Sequence, residues 1–330
     1  MIVTVTGGCG YLGSPLVSRL LERGHEVRVI DDLTYGDAGL APFRGHARLS
    51  FQRGDICNIR DMVKVIKGSH AVVALAAIVG DPACALSEEE TLSVNYESTK
   101  ILVELCNYYH VQRLLFASSC SVYGASDGLT LNEGSWLNPQ SLYARTRIMS
   151  EKVVLDQAAD HLIPTIFRFS TLYGQSPRMR YDLSVNIMTA RAAREGHIDV
   201  FGGEQWRPFL HVADAAEACA QALAAEPQKL QGEIYNVGSN DQNHTLNDVA
   251  DVIAAEVPGV EVRRQGAMTD PRDYRVSFDK IEKLLGFRPR HSVADGVRDM
   301  AAALRAGGTD YRDDVYYNVK YLYRDVAATV

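Results

Sequence analysis

The chain has 330 residues, 46% of them hydrophobic, and a formal net charge of -7. That composition suits one large α/β core with a smaller lobe, and its acidity excludes nucleic acid as the main partner while allowing an anionic substrate at a local arginine cluster. The apolar runs are too short to span a bilayer, Met1 leads straight into the first strand, and the six cysteines (Cys9, Cys57, Cys84, Cys106, Cys120, Cys219) lack C-x-x-C spacing, so a cytoplasmic protein with reduced thiols, no metal and no membrane contact is expected.

An apolar strand from Ile2 to Val5 runs into Thr6-Gly7-Gly8-Cys9-Gly10-Tyr11-Leu12-Gly13 and then an amphipathic helix bearing Leu16, Val17, Leu20 and Leu21. A strand, a glycine-rich turn and a helix N-terminus together offer backbone N–H groups to a diphosphate. A tight turn with no ligand could look the same. The second strand, Glu26 to Ile30, ends at Asp31-Asp32. A carboxylate there accepts from both adenine-ribose hydroxyls and repels a 2′-phosphate, so NAD is expected rather than NADP. Gly7, Gly10, Tyr11, Leu12, Gly13, Asp31 and Asp32 are the contacts expected from this first unit.

A third strand, Arg48 to Gln52, closes on Gly54-Asp55-Ile56. Asp55 either faces the adenine or is an N-terminal helix carboxylate. A helix (Ile59 to Ile66) precedes a strand expected over Ala71 to Ala77, apolar on both faces as in the middle of a parallel sheet. Its end, Leu75-Ala76-Ala77, would pass under the cofactor. A loop over 78–91 leads to a long helix from Leu92 to Tyr109, polar at Asn95, whose apolar face belongs to the core or a subunit interface. A further strand covers Arg113 to Ala117. This alternation predicts right-handed βαβ units and a Rossmann-type doubly wound parallel sheet.

That strand runs into Ser118-Ser119-Cys120-Ser121-Val122-Tyr123-Gly124, and a later helix opens with Ser141-Leu142-Tyr143-Ala144-Arg145-Thr146-Arg147. Strand ends in such sheets meet ligands. Tyr143 and Arg147, four apart, share a helix face. A cation beneath a phenol stabilises phenolate, and a serine hydroxyl can hold the same substrate oxygen; together they make an acid/base unit for interconverting alcohol and ketone beside a nicotinamide.

Ile163 to Phe169 is another strand, followed by a basic loop from Gln175 to Tyr181 and a helix from Asp182 to Arg194 containing Asn186. A short strand (Ile198 to Phe201), the Trp206-Arg207-Pro208-Phe209 segment, a helix near Ala213 to Ala224 and a strand from Glu233 to Val237 follow. Helices are expected over Thr245 to Glu256 and Val293 to Leu304, in a smaller α/β C-terminal substrate lobe. Residues 1–174, with 208–237 returning to them, would form the nucleotide domain; 175–207 and 238–310 the lobe; 311–330 a tail. Five tyrosines between Asp310 and Asp325 would wrap this subunit or a neighbour.

In this order the residues resemble the extended short-chain dehydrogenase/reductases, specifically the NAD-dependent nucleotide-sugar epimerase/dehydratase group. The resemblance rests on the glycine turn with Thr6, Asp31, Asp55, Leu75-Ala76-Ala77, Asn95, the Ser118 to Gly124 stretch, Tyr143, Phe167-Arg168-Phe169 leading to Tyr173-Gly174, Arg207, and His211-Val212-x-Asp214. It implies Ser119 as hydroxyl partner, Tyr143 as acid/base, NAD as cofactor, with Asp55, Ile56, Leu75, Ala76, Ala77 and Asn95 among its contacts, and a homodimer acting on a nucleotide-diphosphate sugar. Substrate would also meet Ser121, Asn186, Arg207 and Arg275; for the arginines, surface ion pairing is the alternative.

Three departures stand out. The group's Tyr-x-x-x-Lys motif has Arg147 as its last residue, which keeps the charge but not lysine's geometry toward the nicotinamide ribose. The Asp-Glu pair that dehydratases place after the catalytic hydroxyl residue is Cys120-Ser121, and Pro208 replaces an aspartate. Cys120, one residue from Ser119 on an extended strand, would face the other way as a packing thiol. The expected activity is epimerisation, at the 4-position by resemblance, through transient oxidation and hydride return. The alternatives are a one-way ketoreductase or dehydrogenase, and a binding module without turnover.

Overall fold

The computed structural model describes residues 1–266, 272–307 and 309–320; Pro271, Tyr321 and Tyr323 lie outside them. The first half comprises β1 (Ile2–Thr6), α1 (Gly13–Glu22), β2 (Glu26–Asp31), β3 (Leu49–Arg53), α2 (Ile59–Ile66), β4 (Ala71–Ala74), the short α3 (Asp81–Cys84) and α4 (Glu88–Leu92), α5 (Ser98–Tyr108), β5 (Arg113–Ser119), β6 (Ala125–Leu131) and α6 (Leu142–Asp156). The second half comprises β7 (Ile163–Phe169), β8 (Thr171–Tyr173), α7 (Ser184–Glu195), β9 (His197–Phe201), β10 (Trp206–His211), α8 (Val212–Ala222), β11 (Glu233–Val237), β12 (Asn243–Thr245), α9 (Leu246–Glu256), β13 (Glu261–Gln265), β14 (Asp273–Val276), α10 (Asp279–Leu285) and α11 (Val293–Arg305).

Seven parallel strands form the central sheet in the order β11-β7-β5-β4-β1-β2-β3. The order reverses between β1 and β4, and the crevice at such a reversal is where this architecture binds ligands. All four residues of β4 are buried, as a strand covered on both faces requires. Side chains cap the helices that matter below: Asn58 accepts from the Arg60 N–H at α2, and Ser141 accepts from the Ala144 N–H at α6. β8, β10 and β12 make a small second sheet, against which α7, α9 and α11 bury Val185, Ile253, Val297 and Met300. Among the described residues, no helix is long and apolar enough to cross a membrane.

Three expectations change. β4 stops at Ala74 instead of Ala77, because the Leu75 and Ala76 N–H groups both donate to Thr6 Oγ1 at 3.2 Å and turn the chain out of the sheet. The helix expected from Leu92 to Tyr109 is a π-turn, Ser93–Glu97, that contains Asn95 and continues into α5, while α3 and α4 occupy the stretch expected as a loop over 78–91. Cys120 is buried as expected but for another reason: β5 ends at Ser119, Cys120 opens a 3-10 turn, and its thiol donates to the Arg168 carbonyl.

Candidate active site

The glycine turn is shaped by close approach. Gly7 has φ 72° and rests on Ala76, where a Cβ would come within 2.8 Å of the backbone. A Cβ on Gly13 would lie 2.2 Å from the Gly7 carbonyl oxygen. α1 begins at this turn with no side-chain cap on Leu12, and the Ser14 hydroxyl in its first turn is buried without a partner. An uncapped helix start with an orphaned hydroxyl fits an anionic diphosphate.

Around it, the expected cofactor residues divide. Asp31 accepts from the Cys9 N–H at 2.9 Å and the Leu33 N–H at 3.0 Å, so it also ties the turn to β2. Burial raises its pKa despite those bonds. Asp32 accepts from the Thr34 N–H. Asp55 accepts from the Cys57 N–H in the turn that enters α2, whose cap is Asn58. Ile56 packs on the apolar cluster beneath β2 and β4. Asn95 is buried and exchanges bonds with both main-chain groups of Ile78, at 2.9 Å each, fixing the loop that carries Leu75, Ala76 and Ala77.

Asn186 requires correction as a substrate contact, and the side chain of Tyr11 in the glycine turn is its partner. The Tyr11 hydroxyl donates to the Gly174 carbonyl at 2.6 Å and accepts from Asn186 Nδ2 at 3.0 Å. Asn186 is 0% exposed; its Oδ1 accepts from the Gly174 N–H, and its Nδ2 also donates to the Arg180 carbonyl. Its amide is used up inside the protein, so it braces the lobe against the glycine turn instead of reaching a substrate.

Ser119 sits at the carboxyl end of β5 and accepts from the Ser121 N–H. The Ser121 hydroxyl oxygen is buried with no partner. Tyr143, half-buried in the first turn of α6, stands above Arg147, whose guanidinium carbon is 5.5 Å from its ring centroid. Arg147 is only 3% exposed; Nη1 donates to the Ala117 carbonyl at 3.2 Å and Nη2 to the Asn95 carbonyl at 3.3 Å. The cation is therefore held between β5 and the π-turn, and its Nε is buried without a protein partner. Burial raises the Tyr143 pKa, and the Arg147 charge offsets only part of that rise.

The two substrate arginines meet at one corner. Arg207 donates to the Trp206 and Arg272 carbonyls and lies over Tyr274, while Arg275 lies over the Trp206 ring and donates to the Gly128 carbonyl. Arg272 in turn pairs with Asp81 at 2.6 Å. Beneath Ser119 runs a buried network absent from the sequence reading. Glu151 on α6 accepts from Ser118 and pairs with Arg168, whose Nη1 donates to the Tyr123 hydroxyl, and that hydroxyl donates to Asn236. His211, Asp214 and His291 bring potential metal-ligand atoms within 4.8 Å of one another. His211 Nδ1 accepts from the Ala213 N–H at the start of α8, and Asp214 accepts from both the main chain and the ring of His291. Tyr35, Arg178 and Asn318, joined near the glycine turn, were also missed; the basic loop was the available signal, but Asn318 lies far along the chain.

A family profile described as the NAD dependent epimerase/dehydratase family matches residues 3–238. The dTDP-glucose 4,6-dehydratase of Actinoplanes sp. is 30% identical over 322 residues, covering 93% of this chain and 98% of that protein. The crystal structure of DesIV, a dTDP-glucose 4,6-dehydratase from Streptomyces venezuelae with NAD and TYD bound, superposes with a TM-score of 0.83 at 28% identity, over 93% of this chain and 97% of that one. The UDP-glucose 4-epimerase of Thermus thermophilus in complex with NAD gives 0.79 at 27% identity, over 92% and 99% of the two chains.

Proposed function

Because the chain belongs to the NAD dependent epimerase/dehydratase family, we propose that it is an NAD-dependent nucleotide-sugar epimerase, inverting a hydroxyl-bearing carbon, the 4-position by resemblance, through a transient keto-sugar. One observation carries this over dehydration. The two positions after Ser119 hold a thiol turned onto the Arg168 main chain and a hydroxyl with no protein partner, where dehydratases of the group have two carboxyl groups. The nearby Asp81 and Glu151 are engaged by Arg272 and Arg168.

When bound, NAD supplies a reversible hydride acceptor. Ser119 Oγ would hold the sugar oxygen while Tyr143 Oη takes its proton and later returns it, with Arg147 as the fixed positive charge below the phenol. Arg207 and Arg275 would grip the nucleotide diphosphate, since guanidinium forks suit its oxygens. The proposal includes the cytoplasmic homodimer read from the sequence; sedimentation tests the dimer.

The deciding experiment is incubation with a panel of sugar nucleotides in ordinary and deuterated water, read by NMR. Epimerisation without deuterium incorporation is expected. Incorporation would instead indicate proton abstraction next to a carbonyl, and turnover that depends on added NADH after dialysis would indicate a one-way reductase.

A further inference from the structure

Arg178 is 4% exposed, and its Nε has no partner. Among the described residues no carboxylate lies within ion-pair distance of it; Asp182, the nearest in sequence, is held by Arg180 through both oxygens, at 2.9 and 3.0 Å. A buried guanidinium without a counter-charge is unfavourable. Burial, with the Arg180 charge adding to it, pushes the Arg178 pKa down to about 10.

The surroundings indicate which anion the guanidinium is placed to meet. Arg178 Nη2 donates to Asn318 Oδ1 at 2.7 Å, and Asn318 Nδ2 donates to the Val79 carbonyl at 3.2 Å. On its other side the guanidinium carbon lies 4.2 Å from the Tyr35 ring centroid. Val79 follows β4 and Tyr35 follows β2, and β1 runs between those strands. The links therefore cross the carboxyl end of β1, where the glycine turn begins. Ser176, which donates to the Tyr11 carbonyl at 2.8 Å, holds the Arg178 loop onto that turn.

We propose that Arg178, Asn318 and Tyr35 form a clasp across the carboxyl end of β1, in which Arg178 is the positive contact for the dinucleotide's diphosphate and whose opening is required for cofactor release. Arginine suits the task because its planar fork matches phosphate oxygens in a site too dry for a hydrated ammonium. Asn318 makes the clasp depend on the C-terminal segment: its side chain is buried, and its main-chain N–H donates to Asp182. The substrate's diphosphate would offer the same chemistry, but Arg207 and Arg275 gather elsewhere, at β10 and β14. The inference rests on the cofactor and is independent of which sugar reaction the site performs.

The test uses the full chain loaded with NADH, whose fluorescence reports release into an excess of NAD, with no sugar nucleotide present. Arg178→Gln and Asn318→Ala are expected to speed release about tenfold, and Arg178→Lys to restore part of the loss. Asn318→Ala leaves the guanidinium in place and serves if Arg178→Gln does not fold. In equilibrium titrations Arg178→Gln should weaken ADP-ribose about tenfold and leave UDP unchanged. Wild-type release rates in variants that melt as the parent does would overturn the clasp. So would weakened UDP with unchanged ADP-ribose, which would assign Arg178 to the substrate.

Discussion

Arg147 donates to the main-chain carbonyl of Asn95, and that oxygen also accepts from the hydroxyls of Thr99 and Ser150. The carbonyl lies in the π-turn, whose wider hydrogen-bonded ring opens the backbone to side chains. Arg147 is thus a clamped charge, and its effect on Tyr143 is electrostatic. Removing it with Arg147→Met takes away the larger of the two positive charges that oppose burial, raises the Tyr143 pKa further and moves the rising limb of the turnover profile to higher pH. Arg147→Lys should keep turnover and hold the limb near its original place. Turnover profiles across alkaline pH check both; a limb unmoved in Arg147→Met would end the electrostatic role.

Tyr143→Phe removes the proton acceptor and leaves the ring. Conversion of the sugar nucleotide should fall by roughly 100- to 10,000-fold, while NADH binding and melting temperature stay close to the parent's. Undiminished conversion would remove Tyr143 from the mechanism.

Gly13→Ala sets a methyl group against the Gly7 carbonyl oxygen, at 2.2 Å, between two main-chain segments that cannot both yield. The expected result is loss of dinucleotide binding in calorimetry with a lowered melting temperature.

Glu151→Ala leaves the Arg168 guanidinium buried and takes away the partner of Ser118. Breaking a buried pair of this kind costs about 3–5 kcal/mol. Urea unfolding should report a loss of that order, and Arg168→Met with Glu151→Leu should recover part of it.

His211 is buried against Tyr173 and beside His291, and burial, with the His291 charge next, pushes its pKa down to about 4. Below its ordinary value of 6.5 the unfolded chain takes up a proton that the folded chain refuses. Stability therefore falls as pH drops from 6.5 towards 4, by about 3 kcal/mol in total. His211→Asn, which can still accept from the Ala213 N–H, should flatten that slope in unfolding curves at neutral and acid pH.

The sheet was legible where strands carry continuous apolar runs between turn residues. β7 and β11 were read with their observed ends, and β1 and β5 to within two residues. β6 was missed because Ala125 to Leu131 contains Gly128 at φ 81° and finds its partner only in distant β14. In the site, the spacing of Tyr143 and Arg147 revealed that they share a face, but no sequence pattern marks a guanidinium held by two main-chain carbonyls. Asn186 misled for a related reason: an amide that binds substrate and an amide that braces two lobes are the same residue until its partners are seen. Arg178 and Asn318 meet across most of the lobe's length, beyond the reach of any local motif.

The π-turn also sets how this helix tolerates inherited change. One residue corresponds to about 100° of rotation along a helix, so shortening Ser93–Glu97 by a single codon would let α4 and α5 fuse into one regular rod with its lower half turned. The Asn95 carbonyl would return to the backbone ladder and Arg147 would lose its anchor. Point substitutions on the exposed face of α5 should be absorbed, whereas an in-frame deletion in this short stretch should be felt at Tyr143.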